Sequence, residues 1–148
     1  MVDIRHRVGV AATPRRVYEA LTTTEGLAEW WTQDVEGDPN LGGQLLFYFG
    51  TSDPSAVMEV VDLSPSHRVG WLCVKGPDEW VGTNVAFELE GSGDETVLLF
   101  THADWREPVA FLHHCSTKWA YFLLGLKARL EGGQATAYPK DMSISSWG

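Results

Sequence analysis

The sequence predicts an α+β domain in which an N-terminal strand and two short helices precede several antiparallel strands and one long C-terminal helix. Three observations support this class. Apolar and polar residues alternate over positions 2–10, which is typical of a strand with one buried face. Five further alternating segments are separated by turn-sized gaps. From Pro108 to Glu131 the apolar residues instead recur every three or four positions, as they do on a helix.

The two short helices carry start signals. Thr13 can cap a helix that begins at Pro14, because proline at the first helical position loses no hydrogen bond. A second helix is predicted from Thr24 to Trp31. Residues 38–40 and 42–43 then predict a turn, since proline presets one backbone angle while glycine and asparagine accept left-handed conformations.

The later elements follow from periodicity and from the residues that end them. The predicted strands lie at 44–50, 56–64, 67–75, 81–90 and 95–103. The helix over 108–131 would be about 35 Å long at 1.5 Å per residue, enough to cross the whole sheet. Gly132 and Gly133 end it by favouring the left-handed cap conformation. Residues 134–148 form a C-terminal tail, and we expect its apolar side chains to dock either on the parent domain or on a second subunit.

Composition restricts the partners. The 148 residues suit one domain, and a chain of this size buries roughly 68–70% of its unfolded surface without disulfides. The formal charge of −9 repels nucleic-acid phosphates and anionic lipid heads, so neither is expected as a partner. Cys73 and Cys115 lie in apolar segments without metal-type spacing, as in a reduced cytoplasmic protein. Neither a secretion signal nor a membrane-spanning stretch is recognisable, which also predicts a soluble cytoplasmic protein.

Motifs for cofactors, metals and nucleophilic catalysis are absent. The chain has no phosphate-binding loop, no Rossmann glycine fingerprint and no Gly-x-Ser-x-Gly elbow. Three potential metal ligands are adjacent in the sequence: His113, His114 and Cys115. Adjacent helical residues point about 100° apart, so these three side chains cannot all reach one ion. We therefore predict neither a cofactor nor a metal site.

Several segments occur in the order found in a known protein family. They are Thr-Pro-Arg-Arg-Val-Tyr-Glu-Ala-Leu-Thr (13–22), Gly-Leu-Ala-Glu-Trp-Trp-Thr (26–32), Trp71, Phe-Glu-Leu (87–89), Phe-Thr-His (100–102) and Trp-Ala-Tyr-Phe-Leu-Leu-Gly-Leu-Lys (119–127). Over about residues 2–132 the chain resembles the bacterial single-domain relatives of the activator of heat-shock-protein-90 ATPase, within the START-like superfamily. The resemblance implies a helix-grip fold for residues 1–133. In that fold a curved antiparallel sheet wraps around the C-terminal helix, with a ligand cavity between them.

Alternation along the strands identifies the side chains expected to face this cavity. On the middle strand Trp71 and Cys73 are the preferred inward pair, with Leu72 and Val74 as the alternative. The candidate ligand-binding residues are the inward-facing and helix-stripe side chains Phe47, Phe49, Glu59, Trp71, Cys73, Phe87, Phe100, His102, Cys115, Trp119 and Phe122. Each tryptophan is either a core residue or part of a pocket wall. Trp80 and Trp105 lie beside turns and are candidates for the pocket rim. Whether the aromatics interlock or leave a void stays open.

His102 and Glu59 are the candidate catalytic residues. His102 shares the inward side with Phe100, so it can either meet a bound carbonyl at the cavity or serve as a structural histidine. Glu59 faces the cavity if Val57 and Val61 are buried, and faces solvent if Met58 and Val60 are buried instead. An inward carboxylate would need a partner, because burial disfavours its charge.

Three functions are compatible with these observations. The first is binding of a small hydrophobic or aromatic molecule between sheet and helix, which the aromatic inward face and the resemblance both favour. The second is an enzyme of cyclase, hydratase or hydrolase type with His102 and Glu59 as acid and base. The third is a chaperone-associated interaction module, as the resemblance implies. A homodimer is slightly favoured, because isologous dimers are the commonest small assemblies.

Overall fold

The computed structural model describes residues 1–148 and contains seven strands and three helices. The strands are β1 (Val2–Val10), β2 (Asp34–Gly37), β3 (Gln44–Tyr48), β4 (Ala56–Ser64), β5 (Arg68–Lys75), β6 (Asn84–Ser92) and β7 (Glu95–Trp105). The helices are α1 (Pro14–Thr22), α2 (Thr24–Trp30) and α3 (Ala110–Leu130). All strands form one antiparallel sheet in the order β1-β7-β6-β5-β4-β3-β2, whose curved inner face holds α3. The predicted α+β helix-grip fold is confirmed.

The helix ends follow the expected capping chemistry. Thr13 Oγ1 accepts a hydrogen bond from the amide of Arg16, and Thr23 Oγ1 accepts one from the amide of Gly26. After α3, Gly132 takes a φ of +93°, a left-handed conformation that costs glycine little. None of the three helices is long and apolar enough to span a bilayer.

Two details of the sheet differ from the prediction. Strand β2 was not predicted, because its four residues are mostly exposed and show no clear alternation of apolar and polar side chains. Strand β6 begins at Asn84 rather than at residue 81. The preceding residues form a turn, in which Gly82 has a φ of +88° and the amide of Thr83 donates to the carbonyl of Trp80.

The core is an interlocked set of aromatic side chains between the inner sheet face and α3. Ring centroids lie 5.2 Å apart for Trp71 and Phe87, 5.4 Å for Phe87 and Phe100, and 4.7 Å for Phe100 and Trp119. On β5, Trp71 and Cys73 are buried while Val74 is exposed, which confirms the preferred inward pair. At this depth the aromatic side chains are almost completely buried, as expected for a close-packed protein interior.

The tail folds back onto its own domain. The amide of Tyr138 donates to the carbonyl of Trp31, and the amide of Gln33 donates to the carbonyl of Tyr138. The Tyr138 ring packs against Phe49 with centroids 5.3 Å apart. Docking within one chain is thus the arrangement that the structure shows, and it places the tail beside the N-terminal half of α3.

Candidate functional site

A mostly apolar pocket lies between the N-terminal half of α3, the facing ends of β3 and β4, the β5–β6 loop and the tail. Its volume is about 330 Å³, and ten of its sixteen lining residues are hydrophobic. Pockets for small molecules span roughly 300–1,000 Å³ and are mostly apolar with a few polar groups. The cavity therefore suits a small ligand.

Three indole rings form the floor of the pocket. Trp31 follows α2 as its C-cap residue, Trp80 comes from the β5–β6 loop, and Trp119 comes from α3. Their centroids are 6.5 Å apart for Trp31 and Trp80, and 6.1 Å apart for Trp80 and Trp119, with interplanar angles of 24° and 15°. The rings of Trp31 and Trp119 are closer, with centroids 4.9 Å apart, and are tilted by 36°. A floor of flat aromatic rings favours planar apolar ligands, since aromatic pairs gain energy beyond area burial.

The tail forms the outer wall. Trp147 lies edge-on to Phe111 and to His114, with centroids 5.8 Å apart in both cases. The Trp147 side chain nevertheless stays 58% exposed, so the tail covers the pocket only in part. Tyr138 and Asp141 complete this wall.

Polar groups converge on one side of the pocket, where α3 faces the tail. Lys118 Nζ lies 2.5 Å from an Asp141 carboxylate oxygen and also donates to the carbonyl of Met142. Both charged side chains are largely buried, at 15% and 12% exposure. His114 Nδ1 is 2.7 Å from Ser145 Oγ. Burial and, secondarily, the Lys118 charge lower the pKa of His114 below its ordinary value of 6.5.

Cys115 contributes a thiol to the pocket wall. Burial raises its pKa from 9.0 to about 12, and the Glu79 carboxylate adds to the rise. The buried indole N–H of Trp80 points towards the Cys115 thiol and so opposes the rise in the pKa of Cys115. The contact is not a hydrogen bond of regular geometry. A thiol that stays protonated at neutral pH is a poor nucleophile, so Cys115 acts here as an apolar wall.

His102 is fully buried in a hydrogen-bond chain and does not line the pocket. The indole N–H of Trp119 donates to His102 Nδ1 at 3.1 Å, and His102 Nε2 lies 2.8 Å from Thr83 Oγ1. Thr83 Oγ1 itself donates to the carbonyl of Trp80. Since indole only donates, Nδ1 must be the acceptor and Nε2 the protonated nitrogen. Burial lowers the pKa of His102 from 6.5 to about 3, which keeps it neutral. The structure therefore gives His102 a structural position.

Glu59 lies on the outer face of the sheet. Its neighbours Met58 and Val60 are buried, and it pairs with Gln44 and Leu72, which also point outward. The expectation that Glu59 faces the cavity is therefore not met. On β4 the inward side belongs to Met58 and Val60, and Glu59 between them points outward. His102 and Glu59 are on opposite sides of the sheet and do not form an acid–base pair.

The remaining sequence candidates separate into two groups. Phe49, Cys115, Trp119 and Phe122 line the pocket. The other five lie deeper, beyond the pocket wall, and are almost completely buried: Phe47, Trp71, Cys73, Phe87 and Phe100. They were expected at the cavity because they share its face of the sheet. The ring of Trp31 covers Phe47 and Trp71, with centroids 4.3 Å and 6.1 Å away. Trp30 packs on Phe87, and Trp119 packs on Phe100.

Several pocket residues were missed by sequence reasoning. Lys118 carried a usable signal, since it lies three or four residues from His114, Cys115 and Phe122 and interrupts an apolar helix stripe. Trp80 was expected at a rim and does line the pocket, whereas Trp105 lies outside it. For the tail residues no local pattern specifies the surface on which they dock. No three His, Cys, Asp or Glu side chains converge as metal ligands.

Comparisons with known proteins identify the family. Residues 11–131 match the model of the family described as Activator of Hsp90 ATPase homolog 1-like protein. The solution structure of the Aha1 dimer from Colwellia psychrerythraea is 41% identical, with a TM-score of 0.81, over 90% of this chain and 98% of that one. No curated protein matches the chain.

Two more distant structures share the fold. CalU16 from Micromonospora echinospora is 22% identical, with a TM-score of 0.74, over 90% of this chain and 76% of its own. DynU16, a protein of the dynemicin biosynthetic locus, is 23% identical, with a TM-score of 0.74, over 92% of this chain and 49% of its own. Such similarity shows the fold alone. With its helix-grip architecture and a family match over most of its length, the chain belongs to the Activator of Hsp90 ATPase homolog 1-like family of START-like proteins.

Proposed function

We propose that this protein binds a small, planar, mainly apolar molecule in the pocket between α3, the sheet ends and the tail. The observation that carries the proposal is the cavity of about 330 Å³ with its floor of three indole rings. Binding is favoured over catalysis because His102 is enclosed, Glu59 faces outward, and the Cys115 thiol stays protonated. The few polar groups of the pocket would orient the ligand.

The test uses N-phenyl-1-naphthylamine, a neutral dye whose fluorescence rises in apolar surroundings. We expect saturable binding of one dye to the native protein. Ser55→Phe places a bulky ring at the pocket wall and is expected to weaken binding at least tenfold. Ser52→Phe, on an exposed loop outside the pocket, is the matched control. Equal affinity of all three proteins, each with an intact far-ultraviolet circular dichroism spectrum, would place the dye elsewhere.

We further propose that the chain forms a homodimer. The 41% identity to the Aha1 dimer of Colwellia psychrerythraea supports this assembly, as does the apolar surface left by Met142 and Trp147, which are 63% and 58% exposed. Light scattering of the full chain over micromolar concentrations is expected to give twice the monomer mass of 16.4 kDa. A constant monomer mass over that range would contradict it.

A second candidate function is interaction with the chaperone Hsp90, in a cytoplasm that the two free, buried cysteines would suit. The family match over residues 11–131 supports it. The measurement is the ATPase rate of a bacterial Hsp90 with and without equimolar protein, in which stimulation is expected. An unchanged rate together with no co-sedimentation would remove this candidate and leave the ligand-binding proposal intact.

A further inference from the structure

The charged pair at the pocket wall links the tail to the ligand site. Lys118 is the only lysine or arginine among the lining residues, and Asp141 is the only carboxylate side chain. Lys118 extends from α3, whereas both of its hydrogen-bond acceptors, the Asp141 carboxylate and the Met142 carbonyl, belong to the tail. The tail thus supplies all the acceptors that Lys118 has in this structure.

The surroundings of Lys118 hold its ammonium group at the edge of the aromatic walls. Nζ lies 5.4 Å from the ring centroid of Phe122 and 5.5 Å from that of Tyr121. The side chain is 15% exposed, so water alone does not solvate the charge. A buried ammonium group needs an anionic partner, and Asp141 fills that role. The position of the Asp141 carboxylate therefore marks a place at the pocket wall where an anion is accepted.

We propose that the ligand is a small planar aromatic carboxylate whose carboxylate replaces that of Asp141 on Lys118. This rests on the proposed function and specifies its ligand class. The ring system lies against the indoles of Trp31, Trp80 and Trp119, and the anionic group faces the α3 side of the pocket. Asp141 then turns out toward solvent, and the tail segment from Asp141 to Gly148 loses its ionic attachment to α3.

Geometry favours this class over cations and over purely apolar molecules. A cationic ligand would have to displace Lys118, which is fixed to the helix, and would leave two positive groups together. An apolar molecule would leave the Lys118–Asp141 pair unchanged and gain nothing from it. The carboxylate of a ligand instead takes the place of Asp141 as the anionic partner of Lys118. The Asp141 carboxylate then moves into water, where it is well solvated.

The experiment compares 2-naphthoate with naphthalene-2-carboxamide, which has the same ring system and a neutral head. Isothermal titration calorimetry of the full chain is expected to show at least tenfold tighter binding of the naphthoate. Asp141→Asn removes the competing carboxylate and is expected to tighten naphthoate binding several-fold while leaving the carboxamide unchanged. Lys118→Gln is expected to abolish the preference. Asp94→Asn, in an exposed turn outside the pocket, is the charge control.

Each outcome decides the proposal. Equal affinities for the two probes in the wild type, with N-phenyl-1-naphthylamine still bound in the pocket, would overturn the carboxylate assignment and leave the proposed function standing. A naphthoate preference that survives Lys118→Gln would place the anion on another group and overturn it as well. Failure of all three compounds to bind at millimolar concentration would overturn the proposed function together with this inference.

Discussion

The buried imidazole of His102 should make folding stability depend on pH. Its pKa is about 3 in the folded protein, against an ordinary value of 6.5, and burial is the cause. Between these two values the unfolded chain binds a proton that the folded chain does not. Stability therefore falls as the pH drops below 6.5, by about 1.4 kcal/mol for each pH unit. From neutral pH to pH 5 the loss attributable to this residue is about 2 kcal/mol.

The assay is equilibrium unfolding in urea at pH 7, 6 and 5, followed by tryptophan fluorescence. Hydrogen bonds lower the pKa values of Asp3 and Glu131, so both carboxylates also stabilise the fold. The chosen pH range lies above the pH at which they lose most of this contribution to stability. His102→Gln removes the titrating group but keeps an amide that can hydrogen-bond in its place, and it should flatten the pH dependence.

The matched control is His113→Gln, at an exposed position on α3, which should keep the wild-type slope. The lowered pKa of His114 makes stability fall with pH in the same direction in all three proteins. The difference between their slopes of stability against pH is therefore due to His102. Identical slopes for the wild type and His102→Gln would refute the reasoning.

Three further predictions concern buried groups and the outer sheet face. Thr83→Val removes the hydroxyl that His102 contacts and leaves one buried N–H unpaired, which should lower the free energy of unfolding by about 1–3 kcal/mol. Thr101→Val, on β7 next to His102 but outside this hydrogen-bond chain, should change it by less than about 0.5 kcal/mol in urea titrations. Cys73 and Cys115, with pKa values raised to about 11 and about 12, should resist iodoacetamide at pH 8 until the protein is unfolded, as mass spectrometry can show. Rapid labelling of the native protein would contradict that burial. Glu59→Gln should leave dye affinity unchanged in fluorescence titrations, because its carboxylate lies across the sheet from the pocket, and a large change in affinity would contradict this placement.

Regular elements could be predicted because their signals are local. The cap at Thr13 and Pro14 and the stripe of α3 each depend on residues a few positions apart. Strand β2 could not be predicted, because it is held mainly by its pairing with β3. Such pairing is a tertiary contact that leaves no local pattern in the sequence.

The pocket could be predicted only in part, because its walls depend on packing between distant segments. Alternation correctly gives the inward side of β5, β6 and β7, but it does not indicate how deep a residue lies. Phe87 and Phe100 share that face with residues at the pocket and are nevertheless enclosed. Trp30 and Trp119 cover these two rings, while Trp31, the C-cap residue that follows α2, covers Phe47 and Trp71. Asp141, at the pocket wall, comes from the tail. Neither the position of Trp31 nor that of Asp141 follows from periodicity.

The indole N–H signals of the seven tryptophans give the most direct test of the ligand site. Trp31, Trp80, Trp119 and Trp147 line the pocket, whereas Trp30, Trp71 and Trp105 do not. Titration of ¹⁵N-labelled protein with 2-naphthoate, followed in ¹H–¹⁵N correlation spectra, is predicted to shift the four indole signals of the first group much more than the other three. Shifts confined to Trp30, Trp71 and Trp105, or no indole shifts at saturating probe, would contradict the assignment of this pocket as the binding site.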